Sequence, residues 1–154
     1  MVFGKIISGN DDISEALIIR KEVFQIEQGV DPKLEFDDLD KLAMHAMVYT
    51  DINRTKAVAT GRILLLDDKC VMGRVAVLKD FRGKEYGDFV VRLLLNRAFT
   101  SGIKEVFIHS QLSAVGFYEK LGFKILGEQF LEAGIRHVEM SIKEEFLTKK
   151  CNHI

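Results

Sequence analysis

The chain has 154 residues, 47% of them hydrophobic and 29% charged, with 22 basic against 23 acidic side chains and a formal net charge of −1. That length favours one domain able to bury a real core, and the charge balance excludes a strongly basic nucleic-acid surface. Cys70 and Cys151 have no CxxC partner and no apolar run approaches the roughly 20 residues that span a bilayer, which argues against a disulfide framework, a zinc site or a membrane span.

The start, MVFGKIISGNDD, lacks a basic segment followed by a long apolar one, so a cytoplasmic protein is expected. Residues 3–7 read as a short strand, and Asn10-Asp11-Asp12 supplies N-cap candidates. Ile13, Ala16, Leu17, Arg20, Val23, Phe24 and Glu27 recur at helical spacing, so residues 12–28 read as an amphipathic helix with Gly29 just past its end. Residues 30–41, with Asp31, Glu35, Asp37, Asp38 and Asp40, read as an acidic surface loop or short helix. Its Glu35–Asp40 part lacks the glycine and terminal glutamate spacing of a calcium loop and reads as a surface loop, with attraction of cationic substrates as the alternative. Strands are expected over 43–49, 56–66 and 70–77, with Met44, Met47 and Met72 in the core. A helix runs to about Thr100 and stops at Ser101-Gly102, and Val106-Phe107-Ile108 reads as a buried strand. A shorter helix over 112–121 ends at Gly122. A strand over 123–126, a loop and a last strand over 135–142 follow, and the tail from Lys143 is expected to fray in part. No repeat, linker or second domain interrupts this order, β-α-loop-β-β-β-α-β-α-β-β. It implies a mixed sheet with helices on both faces.

The most informative stretch is Gly73 to Asn96, GRVAVLKDFRGKEYGDFVVRLLLN. A short apolar strand (Val75, Ala76, Val77) meets a charged turn, Arg82-Gly83-Lys84-Glu85-Tyr86-Gly87, and Asp88 then leads into an apolar helical pattern. A helix start offers free N–H donors and partial positive charge, so this order of parts suggests an anionic, phosphate-bearing ligand.

Val77 to Gly87 resembles motif A of the Gcn5-related N-acetyltransferases (GNAT), and Ala114-Val115-Gly116-Phe117-Tyr118-Glu119-Lys120-Leu121-Gly122-Phe123 resembles motif B. The resemblance covers about residues 3–142. Residues 20–30 and 130–140 look like the bacterial ElaA/YjcF-like branch, and the last strand is similar to that of glyphosate N-acetyltransferase, where a matching His serves as general base. The resemblance implies an α/β (α+β) GNAT fold: a mixed, mostly antiparallel sheet of six to seven strands, helices on both faces, and a central splay between two parallel strands. It implies acetyl-CoA as cosubstrate, with pantetheine along Val75, Ala76 and Val77 and pyrophosphate on the amides of Arg82, Gly83, Lys84, Glu85, Tyr86, Gly87 and Asp88. Gln111, Ala114, Phe117, Tyr118 and Lys120 complete the implied cofactor set, and no metal is called for. Two departures from the family pattern stand out. Glu85 occupies the middle glycine position of Arg/Gln-x-x-Gly-x-Gly/Ala, and Gln111 stands where Asn is common.

Transfer of an acetyl group to an amine needs an uncharged acceptor, donors for the oxyanion and a proton for the leaving thiolate. Tyr118 is the candidate acid for the sulfur, although spacing alone reads it as helix-face packing. His137 is the candidate base, with a strand histidine satisfied by a carbonyl as the plain alternative. Glu27 is a candidate to orient the amine or relay a proton, against a solvated helix carboxylate. His45 and His109 lie near strand ends as weaker candidates, and His153 lies in the tail. Arg74 and Arg136 read either as anchors for an acceptor carboxylate or as sheet-surface charges. The backbone amides of Val75–Val77 are the oxyanion candidates. No cysteine lies in either motif, so direct attack in a ternary complex is expected. The expected function is therefore transfer to a primary amine of a small molecule, with no nucleic-acid or membrane partner and a homodimer as a possible assembly. The alternative is a non-catalytic acyl-CoA sensor or interaction module on the same fold, suggested by Glu85.

Overall fold

The computed structural model describes residues 2–51, 53 and 55–149, so Cys151 and His153 lie outside the described residues. Seven strands form one sheet: β1 (Phe3–Ser8), β2 (Met44–Tyr49), β3 (Ala57–Leu66), β4 (Lys69–Val77), β5 (Glu105–Gln111), β6 (Lys124–Glu132) and β7 (Ile135–Lys143). Their spatial order is β1-β2-β3-β4-β5-β7-β6, and every pairing is antiparallel except β4 with β5. The helices are α1 (Ser14–Arg20), α2 (Pro32–Glu35), α3 (Tyr86–Thr100) and α4 (Val115–Leu121).

Alternation along β2 divides the core between the two faces of the sheet. Ala46 and Val48 pack with Val90, Val91, Leu94 and Leu95 of α3, while Met47 and Tyr49 meet Ala16 and Ile19 of α1. The four α3 side chains are wholly buried, and each contributes about 1.5–3 kcal/mol of apolar burial. Gly61 on β3 lets α3 lie this close, because a Cβ there would come within 2.8 Å of Val90 Cγ1.

The parallel pairing is short. Cys70, Val71 and Met72 of β4 face Val106, Phe107 and Ile108 of β5, and then the strands part. Just beyond, the β3–β4 register shifts between Arg62↔Gly73 and Thr60↔Ala76, and Arg74 adopts φ +51°. A bulge of this kind bends its strand. It turns the end of β4 away from β5 and opens a splay whose β4 side has no sheet partner beyond Met72 among the described residues.

The structure departs from the sequence-based expectation in three places. The first helix has two parts, α1 and a π-helical segment Lys21–Glu27. Its hydrophobic period reads as plain α-helix, yet the wider turn keeps Arg20 and Val23 buried while bringing Phe24 and Gln28 to the splay. The loop expected after 126 is mostly strand. β6 continues to Glu132 through a bulge between Leu126 and Phe130, and Ala133-Gly134 closes a two-residue hairpin with φ +51° and +75°. An exposed edge strand carries polar residues on both faces, so Gly127-Glu128-Gln129 reads as loop. The segment after Lys143 is docked: Glu144–Phe146 forms a 3₁₀ turn, and the Thr148 N–H donates to the Leu121 carbonyl at 3.0 Å.

Candidate functional site

The splay opens into a cleft of about 750 Å³ that continues across the exposed face of β3, β4 and β5. One half is walled by Val75, Ala76, Val77, Arg82, Gly87, Gln111, Ala114, Phe117 and Tyr118. The other half is walled by Leu39, Leu64, Leu66 and Val71, with Arg62, Arg74, His109, Glu132 and His137 around them. Nine of the residues singled out for the cofactor thus share one wall. Gly83, Lys84, Glu85, Tyr86 and Asp88 lie in the adjoining turn and the first turn of α3, outside the cleft lining. Lys120 is exposed on α4, also outside it.

The turn is built to leave amides free. Glu85 precedes α3, and the first intrahelical bond runs from the Phe89 N–H to the Glu85 carbonyl at 3.1 Å, so the amides of residues 86–88 begin the helix. Gly83 takes φ +76° and Glu85 takes φ +67°. Glu85 therefore holds the left-handed conformation that glycine adopts without strain, and its side chain is exposed. The Arg82 Nε–H donates to the Val77 carbonyl at 3.0 Å, and its Nη2 pairs with Glu27 Oε1 at 2.9 Å. Glu27 is thus tied to the turn before α3 and does not line the cleft. Opposite, the Gln111 Nε2–H donates to Gln28 Oε1 at 2.9 Å, an amide pair that joins the end of β5 to the π-helical segment.

Tyr118 is 9% exposed, packed edge-on between Phe117 and Phe123. Burial pushes its phenol far above the ordinary value, which keeps the proton on oxygen. Its hydroxyl has no hydrogen-bond partner among the described residues, so the proton is available to a group entering the cleft. His137, on β7 opposite Gln111, is 6% exposed and stacks on Phe130. Its Nδ1 lies 2.7 Å from the Ile135 carbonyl, which can only accept. Nδ1 must then carry the hydrogen, and in the neutral ring the lone pair sits on Nε2. Nε2 lies 3.7 Å from Glu132 Oε2, and Glu132 Oε1 lies 2.9 Å from His109 Nδ1. The hydrogen bond to Glu132 raises the pKa of His109, and the same bond lowers that of Glu132. Glu132 belongs to no sequence motif, and the edge strand that carries it read as loop. Nothing in the residue pattern signals its meeting with two histidines.

The acidic run was expected to mark a surface loop. It instead neutralises three arginines beneath the cleft. Arg20, 1% exposed, pairs through Nε with Glu35 Oε1 at 2.6 Å and through Nη1 with Asp40 Oδ1 at 2.7 Å. Arg62 grips Asp37 with two nitrogens at 2.7 and 2.8 Å and reaches Asp40 at 2.9 Å. Arg74 donates to the carbonyls of Leu34 and Glu35 and to Asp37. Burial pushes the Asp40 carboxyl upward, but Arg20 and Arg62 outweigh it and the net shift is down. His45, buried beside this cluster, donates Nε2–H to the Asp40 carbonyl at 2.9 Å, and burial lowers its pKa. It does not line the cleft, and Arg136 is exposed outside it.

A family model described as an acetyltransferase (GNAT) domain matches residues 22–144. The chain is 36% identical over 140 residues to the uncharacterized protein YyaT of Bacillus subtilis, covering 89% of this chain and 93% of the relative. It is 33% identical over 136 residues to the uncharacterized N-acetyltransferase YjcF of the same organism, covering 88% and 95%. The crystal structure of Escherichia coli ElaA superposes with a TM-score of 0.79 at 26% identity, covering 92% of this chain and 99% of that one. The splayed parallel pair, the open turn before α3 and these matches agree: the chain belongs to the GNAT acetyltransferase family, in its ElaA/YjcF-like branch.

Proposed function

We propose that the protein is an acetyl-CoA-dependent N-acetyltransferase that acts on a primary amine by direct attack in a ternary complex. The observation that carries this reading is the convergence of a buried, protonated phenol (Tyr118) and an oriented imidazole (His137) on the cleft opened by the splay. The residues fit the cosubstrate. The unpaired side of β4 beyond Met72 can pair with an extended amide-bearing arm, and residues 83–88 can offer amides to a pyrophosphate with the Arg82 guanidinium beside them, whereas the Arg82 amide, expected in this set, is engaged by the Lys79 carbonyl. When bound, acetyl-CoA supplies the activated acyl group. His137 Nε2 would take a proton from the incoming amine, the splay-side backbone amides of Val75 and Val77 would face the developing oxyanion, and Tyr118 would give its proton to the departing sulfur. A phenol without a hydrogen-bond partner among the described residues and an oriented imidazole lining one cleft support turnover over a sensor role.

Two measurements test the reading. Isothermal calorimetry should give saturable binding of acetyl-CoA, and an amine panel should release free thiol above the hydrolytic background. No heat at millimolar acetyl-CoA would remove the cosubstrate, and heat without turnover on any amine would favour the sensor. Glu85→Gly is expected to raise stability by about 1 kcal/mol, because it relieves the left-handed strain. Urea denaturation reads this. The variant also removes a carboxylate from the turn, so CoA binding should tighten about threefold or more. Looser binding would show that the Glu85 side chain assists the ligand.

A further inference from the structure

Glu132 is the cleft carboxylate whose contacts are histidines. Glu35 pairs with Arg20, Asp37 with Arg62 and Arg74, and Asp40 with Arg20 and Arg62. The three guanidiniums beneath the cleft are thus matched by three carboxylates, and the cleft asks for no further anion there. Glu132 instead meets His109 at 2.9 Å and His137 at 3.7 Å, with Arg74 attracting it at longer range. Further along the sheet, Glu139 lies 3.9 Å from His109 Nε2 and is held by Lys69 at 2.9 Å.

With Nδ1–H committed to the Ile135 carbonyl, neutral His137 turns its Nε2 lone pair toward Glu132 Oε2. Two acceptors thus face each other across 3.7 Å, and a donor-rich group is what satisfies both. The wall beyond them is apolar, made by Leu39, Leu64, Leu66 and Val71. We propose that the acceptor enters as an ammonium ion with an apolar tail, its N–H donors bridging Glu132 Oε2 and His137 Nε2 and its tail lying over these aliphatic side chains. The inference rests on the acetyltransferase reading and names its acceptor class.

One proton moves before acyl transfer: the ammonium N–H bond breaks, the Nε2–H bond of His137 forms, and the freed amine keeps its lone pair for the acyl carbon. The second proton, shed by the nitrogen as the amide forms, restores the Tyr118 phenol after it has protonated the sulfur, and the His137 proton leaves to solvent. The imidazolium so formed stands beside the Glu132 carboxylate, which makes Glu132 a binding and positioning residue. His109 sets the pH dependence. While protonated it neutralises Glu132, and as pH rises through its raised pKa the carboxylate is released to the ammonium. Ammonium binding therefore strengthens with pH across that range, until the amine itself deprotonates near about 10.

The test uses ¹⁵N-histidine-labelled protein, n-hexylammonium chloride and n-hexanol, with ¹H–¹⁵N NMR and no acetyl-CoA. Hexylammonium should shift the His137 Nε2 signal and hexanol should not. In Glu132→Gln, the His109 titration should fall toward about pH 6.5, hexylammonium affinity should drop about tenfold, and its rise with pH should flatten. Equal responses to the two probes in the wild type, a comparison that needs no variant, would overturn the inference. So would undiminished hexylammonium binding in Glu132→Gln. Because acetyl-CoA is absent, either failure leaves the calorimetric test of the acetyltransferase reading untouched.

Discussion

Replacing Arg20 by leucine is expected to destabilise the protein by about 3–5 kcal/mol, because a buried ion network that loses one partner keeps the other charges. Arg20 gives Nε to Glu35, Nη1 to Asp40 and Nη2 to the Glu35 carbonyl, and the Glu35 side chain is 2% exposed. Leucine fills much of the volume and satisfies none of these acceptors. Against a typical total of about 5–15 kcal/mol, the loss takes a large share. Urea denaturation at pH 7 measures it, and a change under 1 kcal/mol would mean that the network is replaceable by packing. The carboxylates also set the direction of acid sensitivity. Asp37 and Asp40 have lowered pKa values in the fold, so their contribution is present above the unfolded value near about 4 and is lost as pH falls through the folded values. The penalty of Arg20→Leu should therefore shrink in strong acid. The same cluster anchors the carbonyls that hold Arg74, so the variant should also loosen the wall of the cleft that Arg74 lines.

Tyr118→Phe should lower kcat by about 10²- to 10³-fold, the range lost when a general acid is removed. Stability should change little, because the hydroxyl bonds to none of the described residues and the ring packing with Phe117 and Phe123 survives. CoA affinity should stay within about fivefold, since the proposed binding lies on the turn and β4 and one hydroxyl adds about 1 kcal/mol. The raised phenol pKa adds a second signature. Tyr118 keeps its proton through the whole alkaline range of an assay, so the wild type should show no alkaline loss of rate from this group below about pH 10. Thiol-release kinetics across pH measure both effects. An unchanged kcat in the variant would assign the ring to packing alone.

Much of the fold was legible from local pattern. The α3 stripe of Val90, Val91, Leu94 and Leu95 and the alternation along β2 are periodic signals, and the structure places both as core. The turn before α3 was legible because its small and charged residues stand between a strand and a helix. Two features were not. The π-helical segment has the same apolar spacing as an α-helix, and its extra turn width is decided by what Arg20 and Gln28 must reach. The second half of β6, beyond the strand expected over 123–126, lies at the sheet edge, where Gly127-Glu128-Gln129 interrupts any period. Glu132 was lost with it.

The Gly73–Asn96 stretch by itself determined a strand, a small-residue charged turn and a helix start, the parts on which the phosphate site is proposed, because those signals are local. Tertiary structure alone decided that Glu85 supplies the left-handed turn where glycine is usual, that the acidic run is a buried counter-charge for Arg20, Arg62 and Arg74, and that Glu132 stands between His109 and His137. Those facts depend on charge pairs from 15 to 37 residues apart in the cluster and 23 apart between His109 and Glu132. Charge pairing over such separations leaves no mark in periodicity, since any exposed loop could carry the same residues. It is set by the sheet register that brings β5, β6 and β7 side by side and by the bulge that parts β4 from β5.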